Sequence, residues 1–199
     1  MRRRTNRKQQ ILELATEAFS EEGYDKVTVK QLADGCGITE PAIYRHFKSK
    51  DDIYIAVLES LCDRLDSSEV FATLEHVDDP DTLLHGVAEH LLELHTKNQD
   101  IYRLLLYAML RGHDRARQIF ELIRGNYVKF IVKQLDRLYQ MGVIVEKNNE
   151  MTARCFVGMV LDCAMGLSLY KGYQGRTYEP RDIIANNVPI YVRGLKVSQ

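Results

Sequence analysis

The stretch Thr28 to Lys50, TVKQLADGCGITEPAIYRHFKSK, constrains this chain more than any other, because it packs three helix starts and one sharp stop into very little sequence. Thr28 followed by Gln31 forms a capping box, in which hydroxyl and amide satisfy backbone N–H groups that a helix start leaves without partners. Thr39 opens a second helix, with Glu40 and Pro41 in its first turn. There an acid suits the dipole and a missing N–H costs nothing. Ser49 with Asp52 makes another capping box, and Asp51 adds a first-turn carboxylate. Between the first two starts, Asp34-Gly35-Cys36-Gly37 supplies the glycines that let a helix stop and the chain turn.

The spacing sharpens the pattern. Ala33 sits where two helices must approach closely, Gly37 lies in the turn, and Ile43 faces inward on the second helix. Leu32, Ile38 and Phe47 complete a small core that sets the angle of that helix. A generic helical hairpin shares some of these features. All of them together describe a helix-turn-helix, whose second helix enters the DNA major groove. As caps, Thr28 and Thr39 offer hydroxyls and helix starts to phosphates. Glu40, Pro41, Ala42 and Arg45 stand where base edges would be met. Arg45 is the strongest candidate, since a guanidinium pairs bidentately with guanine. Glu40 can accept from cytosine or serve only its own helix. Pro41 and Ala42 suit a thymine methyl. With one strong donor, shape readout is expected to contribute.

Residues Gly23 to Leu58 resemble the DNA-binding region of the TetR family of one-component transcriptional regulators. The most specific part is Ile43-Tyr44-Arg45-His46-Phe47-Lys48-Ser49-Lys50, similar to the family's L/I-Y-x-H-F-x-x-K signature. The likeness covers roughly Thr5 to Glu59; beyond it only helix order and length are similar. The resemblance implies phosphate contacts from Tyr44 and His46, with Lys50 as a phosphate-facing charge at the start of the next helix. It also implies a double-stranded DNA operator, pseudo-palindromic because the protein is a homodimer joined through its last two long helices. A small, often apolar effector in the larger domain would shift the spacing of the two reading heads. The expected function is thus a ligand-released repressor. A DNA-binding factor of the same fold, controlled by a protein partner or by DNA itself, remains the alternative.

A net charge of −1 looks wrong for a DNA binder until it is divided. Residues 1–50 hold ten Lys/Arg against seven Asp/Glu, and the remainder seventeen against twenty-one. Arg2, Arg3, Arg4, Arg7 and Lys8 begin the chain with no acid among them, either as a solvated tail or as an arm reaching the minor groove. Hydrophobic content of 45% and charged content of 28% describe a soluble globular protein. The best membrane candidate, Cys155 to Tyr170, is interrupted by Asp162, and the basic start leads into an acid-bearing helix, unlike a secretory signal. Four cysteines without a disulfide pattern imply reduced thiols and a cytoplasmic location. Cys155 and Cys163 would lie roughly 12 Å apart along one helix, too far to bridge.

The periodicity predicts an all-α fold of about nine helices, with an N-terminal three-helix head at 1–50 and a larger helical regulatory domain at 51–199. A helix at 5–22 covers the head, and a helix at 49–65 connects the two domains. A polar stretch, Asp66 to Pro80, marks the boundary. Further helices are expected at 81–96, 100–111, 114–141 and 150–171, the last capped by Asn149. A final helix opens at Pro180 and should be kinked or shortened at Pro189. The helix following Asn149 is apolar on more than one side, which suits either a dimer seam or a buried core.

Tyr102, Leu106, Met109, Phe120, Tyr127, Phe156, Met159 and Met165 could line an effector pocket or simply fill the core. Asp162 would need a partner if buried, an Arg or a ligand amine, and otherwise faces water. His85, Glu89, His90 and His95 invite a metal, but histidines five apart lie about 140° apart around a helix. No metal site or cofactor is therefore expected. An enzyme using His85/Glu89 or Asp162/Cys163 is the remote alternative, since no nucleophile elbow, phosphate loop or coherent acid/base pair appears.

Overall fold

The computed structural model describes residues 7–168 and 178–196, apart from the side chains of Asp63 and Ser168. Among them are ten α-helices and one 3-10 turn, with no strand. The arm residues Arg2 to Arg4 and the predicted helix end at 169–171 lie outside the described residues. Two compact units are formed.

The first unit contains α1 (Arg7–Glu22), α2 (Val29–Gly35), α3 (Glu40–Tyr44), α4 (Lys50–Leu61) and α7 (Gln99–Leu110), the last from Asp100 onward. A 3-10 turn at Cys62–Leu65 follows α4, so the expected helix at 49–65 tightens in its last turn. The core is Ile11, Ala15 and Phe19 of α1 against Leu32 and Ala33 of α2, Ile43 of α3, and Ile53, Tyr54, Val57 and Leu58 of α4, all buried. Phe19, Tyr24 and Tyr54 meet at centroid separations of 4.9 to 5.8 Å. The buried Tyr54 hydroxyl donates to the Leu104 carbonyl of α7 at 2.7 Å.

The second unit contains α5 (Ser68–Leu74), α6 (Pro80–Lys97), α9 (Asn149–Ser168) and α10 (Pro180–Leu195). The long α8 (Asp114–Gln140) belongs to it from Phe120 onward. α6 packs against α5, α9 and α10. Burial of Leu83, Leu84, Val87, Ala88, Leu91 and Leu92 on α6 and of Ile184, Val188, Val192 and Leu195 on α10 makes the core.

Three expectations need correction. The stretch Asp66 to Pro80 is not merely a boundary: α5 forms there, because Phe71 stacks on Phe130 at 4.3 Å and meets Tyr127 edge-on at 5.1 Å. The cap of α9 is Asn148, whose side chain accepts from Met151 N at 2.9 Å, while Asn149 begins the helix and donates to Asp136. α10 runs through Pro189 to Leu195 without being shortened. The carbonyl that loses its partner belongs to Ala185, which is exposed and can bind water, while the opposite face of the helix is fixed by burial.

Candidate nucleic-acid interface

Local chemistry builds the head. Thr28 caps α2: its hydroxyl accepts from Gln31 N at 3.1 Å, and its own N–H donates to the Gln31 side chain at 2.7 Å. The hydroxyl also donates to Gln31 Oε1 at 2.9 Å, so its one proton is spent within the cap. The end of α2 is a Schellman motif, with Gly37 N donating to Asp34 O and Ile38 N to Ala33 O, both at 3.0 Å. Gly37 takes φ +63°, a left-handed conformation that favours glycine. Gly35 serves differently: a Cβ there would fall 2.6 Å from a Leu14 methyl, so it is a close approach between α1 and α2.

α3 follows, only five residues long, with Thr39 at its cap. Unlike Thr28, Thr39 makes no side-chain capping bond, which leaves an exposed hydroxyl at the start of α3. Ile43 is fully buried and Phe47 nearly so, and they anchor the segment one helical turn apart. The three residues between them, Tyr44, Arg45 and His46, are exposed, as is Pro41; Glu40 and Ala42 are half-buried. Arg7 and Lys8 tie α1 to the motif, Arg7 reaching the Cys36 carbonyl at 3.5 Å and Lys8 lying 5.6 Å from the Phe47 ring centroid. Cys36 itself is buried, and burial pushes its thiol pKa up, which suits packing in the turn better than redox chemistry.

α4 starts on half of the expected capping box. Ser49 Oγ accepts from Asp52 N at 3.0 Å, but the Asp52 carboxylate accepts from Lys48 N rather than Ser49 N. Lys50 is more constrained than its place in the signature suggests. Its ammonium sits 4.2 Å from the Tyr24 ring centroid and 3.5 Å from the Asp25 carbonyl oxygen. Desolvation lowers its pKa and nearby Arg111 does the same, while Asp25 and Asp51 act in the opposite direction.

Residues 11–57 match the family model for bacterial regulatory proteins of the tetR family. This segment is a TetR-family DNA-binding region. Among its relatives it is 32% identical over 102 residues to the HTH-type transcriptional activator FasR of Mycolicibacterium smegmatis, covering 51% of this chain and 46% of that protein. It is 32% identical over 129 residues to the nucleoid occlusion factor SlmA of Vibrio campbellii, covering 61% of this chain and 64% of the relative. These matches therefore span about half to just under two thirds of the relatives' lengths. A TetR transcription regulator from Haloarcula marismortui shares the fold, with a TM-score of 0.72 at 18% identity, over 96% of this chain and 98% of that one.

The TetR signature found Lys50 but not what surrounds it. Tyr107 donates to Asp25 Oδ2, Arg111 bonds Asp25 Oδ1 at 3.1 Å, Tyr24 donates to Asp51, and His113 Nε2 lies 3.7 Å from the same Asp51 carboxylate. Tyr107 and Arg111 lie more than 80 residues from Asp25 along the chain, so no local sequence signal could pair them.

The nine effector candidates are divided between the units. Tyr102, buried, and Leu106 and Met109, half-buried, belong to the first. Phe120, Tyr127, Phe156, Met159, Asp162 and Met165 belong to the second. There Tyr127 is buried against Phe71 and bonded to His90 Nδ1 at 2.8 Å, and Phe156 meets Tyr191 edge-on at 5.1 Å. Asp162 is exposed and lines a cleft of about 440 Å³ with Cys163, Tyr178 and Asp182. His85 and Glu89 face solvent, whereas His95 is buried and its pKa falls to about 4 through desolvation. Among the described residues no helix is long and apolar enough to cross a membrane.

Proposed function

We propose that this protein is a sequence-specific transcriptional regulator, in the first instance a repressor. In this reading it binds a pseudo-palindromic operator as a homodimer and is released by a small apolar or aromatic ligand in its C-terminal domain. The head at 1–50 grips DNA, and 51–199 carries dimerisation and ligand response. The observation that carries the proposal is the contrast at α3: Ile43 and Phe47 are buried, while Tyr44, Arg45, His46 and the uncommitted Thr39 hydroxyl face outward. Such a surface offers hydrogen-bond donors to phosphates and base edges from a rigid mount.

The homodimer reading draws on α9 and α10. Met151 and Ile190 are 62% and 58% exposed, and they line a groove of about 460 Å³ with Cys155, Tyr191 and Leu195. An exposed apolar surface of this kind suits a self-complementary two-fold contact. The likeness to SlmA favours a second reading, a DNA-bound factor that answers to a protein partner or to DNA alone, and the likeness to FasR allows activation in place of repression.

Selection from random duplexes, followed by titration against random competitor, tests the DNA-binding proposal. The expected product is an inverted repeat bound by two protomers. A monomer with no duplex preference would sink it. Transcription from a promoter carrying the selected site, with and without the protein, then separates repression, activation and a non-transcriptional role.

A further inference from the structure

Asp25 lies beside two cations that compete for it. Its backbone carbonyl is 3.5 Å from the Lys50 ammonium, but its carboxylate is engaged by the Tyr107 hydroxyl and by Arg111 Nη1. The Arg111 guanidinium lies 4.9 Å from the centroid of the Tyr24 ring, the same ring that carries Lys50 at 4.2 Å. Two positive charges therefore share one aromatic ring, and the Asp25 carboxylate, bonded to Arg111, also attracts Lys50 electrostatically. Asp51 holds the Tyr24 hydroxyl and faces His113, so it is already committed. All of these residues belong to the first compact unit.

A lysine ammonium attracted by an uncommitted neighbouring carboxylate would pair with it. Arg111 holds Oδ1 through Nη1 and the Tyr107 hydroxyl holds Oδ2, so both carboxylate oxygens are already engaged. We propose that Arg111, assisted by Tyr107, is a positioning residue for DNA binding: by occupying Asp25 it keeps the charge of Lys50 available for a phosphate. The inference rests on the reading of Lys50 as a phosphate contact. The pKa of Lys50 is depressed mainly by desolvation, with Asp25 and Asp51 opposing the shift and Arg111 adding to it, so its charge feels both Asp25 and Arg111. The side chains of Asp25 and Arg111 are 67% and 46% exposed, so their pair adds little to stability and can be removed without unfolding the chain.

The test measures affinity of the full chain for its selected operator as a function of salt, with urea unfolding as the control for folding. Lys50→Ala should lower the slope of log K against log salt by about 0.9, the release expected for one phosphate contact. Arg111→Ala should reproduce that loss, because Asp25 then captures Lys50. Arg111→Lys should retain most of the slope, and Tyr107→Phe should lose part of it. The double variant Arg111→Ala/Asp25→Asn should recover the wild-type slope, and Arg111→Ala should change nothing further once Lys50 is Ala. A slope loss with Lys50→Ala but not with Arg111→Ala overturns the inference alone, as does a failure of Asp25→Asn to restore it. No slope loss with Lys50→Ala overturns the phosphate role of Lys50 and the inference with it.

Discussion

Helix α3 has five residues and α9 has twenty, and they are held by different means. α3 is far too short to be stable alone. Its place is set by the Schellman turn at Gly37 and by two anchors, Ile43 and Phe47, while its outward groups are polar. α9 is held by continuous burial of Ala153, Phe156, Val157, Val160, Leu161 and Ala164, yet it leaves Met151 outside. The difference teaches what each surface suits. Hydrogen-bonding groups on a small rigid mount suit a polyanion, and leftover apolar area on long helices suits another apolar surface.

The comparison can be broken most severely at the anchor. Ile43→Ala should destabilise the first unit by about 2–5 kcal/mol, the cost of a buried cavity, and abolish operator binding. Urea unfolding and anisotropy titrations check both. In contrast, Ile190→Asp on the exposed face should leave unfolding of the monomer within about 0.5 kcal/mol while shifting sedimentation from dimer to monomer. Unchanged sedimentation would remove α10 from the dimer proposal.

Acid probes the second unit from within. His95 is buried, and its folded-state pKa of about 4 lies below the ordinary value of 6.5. The unfolded chain therefore binds the proton first as pH falls. The stability associated with the neutral ring is present above pH 6.5 and is lost progressively down to about 4, by roughly 3 kcal/mol in all. A His95→Gln variant should lack this dependence in urea titrations across that range.

Smaller effects separate recognition from folding. Arg45→Ala should weaken specific binding by about 1–3 kcal/mol and relax one base position, which repeated operator selection would reveal. The two threonines make the finest contrast. Thr28→Ala should cost about 1 kcal/mol of stability by removing a formed cap, whereas Thr39→Ala should leave unfolding unchanged and weaken only DNA binding. Equal unfolding midpoints for the two variants would contradict the hydrogen bonding seen at Thr28.

The head was legible because its instructions are local. Thr28/Gln31, Gly37 and the Ile43–Phe47 spacing each act over a few residues, and each forms as the pattern requires. α5 was missed because a seven-residue helix in an acidic stretch carries too few periods, and Phe71 finds its partners some 60 residues away. The cap of α9 was misplaced by one residue because Asn148 and Asn149 are chemically identical, and only the backbone path decides which one turns back. Pro189 does not shorten α10 because the carbonyl it frees, that of Ala185, is exposed, which a sequence does not state.

The sequence by itself determined the helical fold, the helix-turn-helix and the inward placement of Ile43 and Phe47, since capping and periodicity are short-range. Only the tertiary structure decided that Tyr107, Arg111 and His113 gather around Asp25, Lys50 and Asp51. That arrangement depends on distant helices packing together, and their side chains meet only once loop closure has brought α7 to the head.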